Sequence, residues 1–196
     1  MKSLNMRKAI VDVRPEGCWF LCICLLLLPL KVVISWLIAA TVHELFHYAA
    51  LRLCRCPVLQ VRVGAFGANM KTGPLTHWQE LICAVAGPVG GLCLLIFLKS
   101  APLISLFGLV QTIFNLLPVF PLDGGRVIHC IVRMISGIGR ADRILNRIDN
   151  GVILVLFALA LYGSVKLLLG PIPLVIVLIL LINNKKLKSS CKVEND

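Results

Sequence analysis

Long apolar runs, separated by short polar breaks rich in Gly and Pro, recur along almost the whole chain. Residues 1–17 are polar and charged and read as an N-terminal arm. The apolar run Cys18–Leu30 that follows is only about 13 residues long, short of the roughly 20 that a helix needs to span a bilayer. It is expected to stay as a first span by extending its ends or thinning the bilayer. Removal as a leader would cut near Ala39–Ala40, just ahead of the best motif in the chain. A second span is predicted over about Val32–Leu53, a third over Trp78–Leu98 and a shorter fourth over Ala101–Leu117. Gly64, Gly67, Gly73 and Pro74 break the segment between the second and third, and Val58–Val63 within it alternates weakly, as a short strand does. Pro118 and Pro121 end helical structure before Asp123. Residues 126–149, of mixed polarity, predict an interfacial or cytosolic helix. Gly151–Leu169 and Ile172–Ile182, parted by Gly170-Pro171, make the last two spans. A bundle of six spans over residues 18–183 results, followed by a short basic tail at 184–196.

Composition agrees. Of 196 residues, 59% are hydrophobic and 15% charged, whereas soluble domains carry about 25% charged residues. The fold class is an all-α polytopic membrane protein.

A net charge of +11 raises the question of nucleic acid, which the distribution of charge answers in the negative. All but three of the 20 Lys and Arg residues fall in four groups: the N-terminal arm, residues 52–71, residues 126–147, and the tail. Lys31, Lys99 and Lys166 sit singly between them. This alternation is what the positive-inside rule produces in a six-span protein with both termini in the cytosol, and the basic groups read as contacts to the anionic surface of the bilayer. No nucleic-acid partner is expected. Five of the nine cysteines lie inside apolar runs as small hydrophobes, while Cys54 and Cys56 fall in a cytosolic stretch where thiols stay reduced.

His43-Glu44-Leu45-Phe46-His47 places two imidazoles four residues apart on one helix face, aimed at one metal ion, with Glu44 beside the first to take a proton from bound water. Ionisable groups inside a span are costly and functional by default. Those well inside the predicted membrane-depth segments are His43, Glu44, His47 and Asp123; Glu80 is better read as an interfacial residue at a helix N-terminus. A catalytic zinc site takes three protein ligands and leaves one position open. His77 and His129 are candidates for the third but sit in peripheral segments, so Asp123 is preferred, with Gly124 and Gly125 leaving its backbone free to approach another helix. Depth supports the choice. His47 lies six residues, about 9 Å, from the cytosolic end of the second span, and Asp123 follows the cytosolic end of the fourth.

His43–His47, together with the run Asn115-Leu-Leu-Pro118-Val-Phe-Pro121-Leu-Asp123-Gly124-Gly125, resembles the site-2 protease family of intramembrane zinc metalloproteases over roughly residues 15–182. The family patterns are HExxH and N-x-x-P-x-x-P-L-D-G. The resemblance implies one zinc ion held by His43, His47 and Asp123, with Glu44 as general acid/base. It gives Asn115 an orienting or oxyanion-stabilising part; the plainer reading of Asn115 is an interhelical hydrogen bond. Pro118 and Pro121 would shape the turn that presents Asp123. Gly87-Pro88 matches the family's central Gly-Pro element, although Gly90-Gly91 stands where the family often has Asn. Residues 58–70 would form a membrane-associated β-hairpin after the second span, able to offer an edge to an unwound substrate. With no room for a PDZ or CBS domain, the chain most resembles the stage IV sporulation protein FB branch, whose members process membrane-associated pro-sigma factors. That branch implies a bacterial cell membrane, a membrane-associated protein substrate and an inhibitory membrane protein partner. Two other readings remain open: a metal-binding or metal-transport protein using the same ligands, and a protease maturing secreted peptides.

Overall fold

The structure, a computed structural model, describes residues 10–13, 15–64, 67–136, 138–166 and 177–178. It divides into two compact units, Met1–Asn115 and Leu116–Asp196.

The first unit holds β1 (Ile10–Val13), α1 (Pro15–Leu27), α2 (Leu30–Leu53), β2 (Val58–Gly64), β3 (Gly67–Thr72), α3 (His77–Cys93) and α4 (Pro102–Asn115), with a 3-10 turn, Leu94–Phe97, extending α3. Helix α2 has a single buried stripe at Ser35, Ala39, His43, His47 and Leu51, spaced four residues apart with Val33 and Ala50 alongside. The stripe consists mostly of small and polar side chains, while Leu26, Leu53 and Ile96 of the surrounding helices are more than 80% exposed. Such an arrangement reverses the order of a water-soluble protein. Leu and Ile on the outside meet lipid without loss, and small residues inside let helix backbones approach. Helix α3 starts at a capping box in which Thr76 and Gln79 exchange side-chain and backbone hydrogen bonds, and Glu80 falls in its first turn, where a helix N-terminus favours an acid.

Helices α3 and α4 pack at van der Waals limits. A Cβ at Gly91 would meet Thr112 Oγ1 and lie 2.8 Å from the Gly108 carbonyl oxygen. Two hydroxyls cross this seam: Thr112 Oγ1 donates to the Pro88 carbonyl (3.2 Å) and Ser105 Oγ to the Leu94 carbonyl (2.7 Å). The Pro88 ring has no N–H, so the Ala84 carbonyl one turn earlier lacks its helical donor.

A three-stranded sheet completes the unit in the order β1-β2-β3. Strands β2 and β3 form the antiparallel hairpin expected after the second span. β1 pairs parallel to β2 in the register Val11↔Val61, a strand within the stretch expected to be a polar arm. Cys56 and Cys83 are buried with Leu51. Burial, then the neighbouring Cys54 and Cys83 thiols, push the Cys56 thiol up, which keeps it protonated and inert. The cysteines among the described residues are free.

The second unit contains α5 (Asp123–Ser136) and α6 (Ile138–Lys166). The expected single interfacial helix over 126–149 is in fact two: α5, and the first half of a 29-residue α6 that runs unbroken through Gly151. Nothing lies within 4 Å of a Cβ at that glycine, so it neither packs nor turns the chain.

Helices long and apolar enough to cross a membrane are Leu30–Leu53, His77–Phe97 and Arg143–Ser164, with Pro15–Leu27 and Pro102–Asn115 apolar but shorter. At 1.5 Å per residue the two short helices reach about 20 Å, against a hydrocarbon core of about 30 Å. The chain is a membrane protein, with three long and two short apolar helices among its described residues. The expected sixth span, Ile172–Ile182, lies outside the described residues except at 177–178.

Gly91→Ala is expected to destabilise the protein by about 1–3 kcal/mol, because the added methyl must push α3 and α4 apart. Gly151→Ala should be neutral or stabilising by up to about 1 kcal/mol through helix propensity. Equilibrium unfolding in mixed detergent micelles measures both, and equal effects at the two positions would contradict the tight seam.

Candidate metal centre

The buried stripe of α2 brings His43 and His47 to one point. Both side chains are less than 10% exposed, and their Nε2 atoms stand 3.1 Å apart. Two nitrogens ligating one tetrahedral zinc at about 2.0–2.1 Å would be roughly 3.3 Å apart, so the pair is already near the required spacing. Tautomer follows from the other side of the His47 ring. Its Nδ1 is 2.7 Å from the Cys83 carbonyl oxygen. Since a carbonyl can only accept, Nδ1 carries the proton and Nε2 presents a lone pair. A backbone carbonyl behind a ligating histidine is the usual orienting partner in zinc sites. The contact is reinforced by the Cys83 thiol, which reaches the His47 carbonyl at 3.9 Å.

Gly87 explains how α3 comes so close. A Cβ there would fall on His47 Nε2 and lie 2.7 Å from His43 Cε1. The space that any side chain would fill is the space the edges of the two imidazoles need. Pro88, next along the buried face of α3, supplies the carbonyl that Thr112 caps. Gly90 performs a similar service for Phe46, whose ring would lie 2.6 Å from an added Cβ. Gly90-Gly91, the departure from the family's Asn, thus serves as packing space for α2 on one side and α4 on the other.

Asn115, the last residue of α4, brings Nδ2 to 3.5 Å from His43 Nε2. Half-buried, its amide donor sits beside the histidine pair, where negative charge on a reacting carbonyl would develop. Glu44 is half-buried on the adjacent face of α2, and its Oε1 accepts the Ala68 N–H of β3 at 3.0 Å. Gly67, at φ +116°, turns the strand into this contact; a Cβ there would be strained and only 2.9 Å from Glu44 Oε1. The hairpin therefore lies over the carboxylate, a link that neither the alternation of Val58–Val63 nor any motif announces.

The remaining candidates belong to the second unit. Asp123 opens α5 and is buried, with Arg126 Nη1 3.8 Å from its Oδ1. A Cβ at Gly124 would meet the Leu116 carbonyl and one at Gly125 the Val119 carbonyl carbon, so the two glycines clamp α5 onto the turn at 116–122. Pro118 and Pro121 lie in that turn, and the Phe120–Pro121 peptide is cis. Of the alternative histidines, His77 is exposed at the start of α3, and within the second unit His129 faces Asp149 on α6. Among the expected site residues, the structure brings His47 and Asn115 each within hydrogen-bonding range of His43 in the first unit. Sequence reasoning missed the carbonyl of Cys83, which carries no side-chain signal.

The architecture as a whole matches a known one. The Site-2 Protease from Methanocaldococcus jannaschii superposes with a TM-score of 0.67 at 20% identity, covering 90% of this chain and 89% of that one. The chain has the site-2 protease fold. In sequence it is 32% identical over 111 residues, 48% of its length, to a Synechocystis sp. protein named "Putative zinc metalloprotease sll0528". The match spans only 29% of that relative. No family model matches the chain.

Gly87→Ala is expected to weaken zinc binding at least about 10- to 100-fold while leaving the helices folded, since the methyl displaces the ligand rings. Competition with a fluorescent zinc chelator reads the affinity. Wild-type affinity in this variant would mean that the imidazoles are not the metal's seat.

Proposed function

We propose that the chain is a zinc-dependent endopeptidase of the site-2 protease family, cutting a membrane-anchored or membrane-associated protein near the cytosolic leaflet. One observation carries this reading: a buried His43–His47 pair, tautomer set by a backbone carbonyl, with a carboxylate on one side and an amide donor on the other. The site-2 protease fold and the partial likeness to a protein with a zinc metalloprotease name support it.

The residues fit the metal. Two neutral imidazoles at the spacing of adjacent zinc ligands suit a borderline-soft divalent ion. Asp123, eight residues beyond Asn115 along the chain, is the proposed third ligand, giving the His-His-carboxylate set that leaves a fourth position open for water. One such ion is proposed per chain.

Zinc, when bound, polarises the scissile carbonyl and lowers the pKa of a water molecule. The chain's own groups do the rest. Glu44, one residue from a ligand, accepts the proton of the attacking water and returns it to the leaving amine. To do so its Oε1 exchanges the Ala68 N–H for water. Asn115 Nδ2 donates to the oxygen that becomes negative as the carbonyl is attacked. Cys83 holds His47 in one tautomer throughout. The strand β3, already against Glu44, is suited to hold an extended substrate beside the carboxylate by strand addition. An extended substrate is needed because the peptide bonds of a helix are shielded.

The finer assignments belong to the same reading. They comprise both termini in the cytosol, a bacterial cell membrane, six spans over residues 18–183, processing of pro-sigma factors in the manner of the stage IV sporulation protein FB branch, and an inhibitory membrane partner. They rest on the charge alternation along the chain and on the motif Asn115–Gly125.

Glu44→Gln is expected to keep zinc bound and to lower cleavage about 100- to 10,000-fold, the usual contribution of a positioned general base. The assay is release of a tagged fragment from a single-span reporter reconstituted with the purified protein. Comparison of membrane proteomes from cells carrying wild type and E44Q identifies the natural substrate. Wild-type cleavage by E44Q would overturn the protease assignment; retained zinc with no cleavage by either form would favour a metal-handling protein.

A further inference from the structure

Helix α6 carries a carboxylate that the proposed chemistry does not use. Asp149 lies within the candidate span Arg143–Ser164 and is 1% exposed. It sits on the buried stripe of α6 with Ala141, Leu145 and Ile153, spaced four residues apart. An ionisable group at that depth costs several kcal/mol unless it is paired, and is retained only where it has a task. Among small and apolar neighbours, its contacts are specific. Asp149 Oδ1 accepts the Phe120 backbone N–H at 3.4 Å. Asp149 Oδ2 lies 3.4 Å from His129 Nε2. The His129 ring in turn stacks on the Phe120 ring, centroids 5.1 Å apart and 22° from parallel. One carboxylate therefore accepts the Phe120 backbone N–H and lies against the ring that covers the Phe120 side chain.

Phe120 sits in the turn at 116–122, three residues before Asp123. Gly124 and Gly125 also press the same turn, and within it Leu122 N–H donates to the Val119 carbonyl (2.9 Å) and Arg126 N–H to the Leu122 carbonyl (3.0 Å). Val119 is fully buried. The turn is irregular, so no helical ladder fixes it; the Asp149 carboxylate is the anchor reaching it from α6.

We propose that Asp149 is a positioning residue for Asp123, locking the 116–122 turn so that the Asp123 carboxylate is presented in one place. The inference rests on the reading of Asp123 as a metal ligand. Partners that orient a ligand typically contribute about 10- to 100-fold in metal affinity.

The test uses the full-length protein in detergent, with zinc alone as the probe, and measures the zinc dissociation constant by chelator competition alongside helicity and thermal unfolding. Asp123→Ala, as reference, should lose zinc at least about 100-fold, as expected for a lost ligand. Asp149→Leu should weaken zinc about 10- to 100-fold in protein that is still folded. Asp149→Asn, whose Oδ1 still accepts the Phe120 N–H, should stay within about threefold of wild type. If D123A loses zinc while folded D149L binds it like wild type, the positioning role is overturned. If D123A itself keeps wild-type affinity, the ligand reading fails instead. Should D149L not fold, His129→Leu takes its place: it removes the ring clamped between Asp149 and Phe120 and should weaken zinc by about three- to tenfold. Wild-type affinity in H129L would then overturn the proposal.

Discussion

Two imidazoles buried side by side on one helix impose the constraint from which the rest of the first unit follows. Each ring nitrogen removed from water needs a partner, and the two rings on α2 must be met by a surface that offers an acceptor behind and empty space in front. Helix α3 provides both within one turn. The Cys83 carbonyl accepts the His47 Nδ1–H, and Gly87 leaves the room that the His47 Nε2–Cε1 edge and His43 Cε1 need. Bringing α3 so close would be impossible with ordinary side chains along that face, so the buried positions after Cys83 run Ala84, Gly87, Pro88, Gly90, Gly91. Helix α4 then closes on Gly91 at the far side of α3, and its C-terminal residue, Asn115, arrives beside His43. In lipid there is little hydrophobic gain from pressing helices together; contact area and hydrogen bonds such as Thr112 to Pro88 must do it. The same small residues that admit the metal-binding face therefore also hold the helices.

The second unit solves a related problem by similar means. Its turn at 116–122 has no regular hydrogen-bond ladder, yet the residue it introduces, Asp123, must stand in a defined place to act as a ligand. Glycines on α5 and a buried carboxylate on α6 both reach it. In both units a backbone group at close range, the Cys83 carbonyl in one and the Phe120 N–H in the other, is what a polar side chain holds.

Much of this was legible in the residues because periodicity and local chemistry act at short range. Helix α2 appears within two residues of its expected bounds, Val32–Leu53 against Leu30–Leu53, since an uninterrupted apolar run of that length has one outcome in a bilayer. Helices α3 and α4 fall where Trp78–Leu98 and Ala101–Leu117 place them, with the last turn of α3 tightened to 3-10 form. The misses have physical causes. Ile10-Val11-Asp12-Val13 is too short for alternation to stand out in a charged arm, and its strand exists only because β2 offers an edge. The fifth span was expected to start at Gly151, whereas in an unpacked helix interior glycine costs about 1 kcal/mol and is carried by a 29-residue helix. That single displacement put Asp149 outside the membrane and so outside the group of candidates. The hold of β3 on Glu44 is a long-range contact, written in no local pattern.

Charge balance connects the proposed ligand set to its surroundings. A divalent ion at membrane depth, held only by neutral imidazoles, would carry two uncompensated charges in a medium that penalises even one. On the proposed reading, the Asp123 and Glu44 carboxylates would together offset that charge. A proton taken up by Glu44 would shift the balance by one unit as negative charge developed on a substrate oxygen near Asn115, and the two changes would offset one another. A glutamine at position 44 would leave the ion's charge one unit short of balance, while an apolar residue at 115 would leave the developing charge without a donor. Glu44 and Asn115 thus belong to one electrostatic unit although they come from different helices, and the glycine-lined closeness of α2, α3 and α4 is what makes them one.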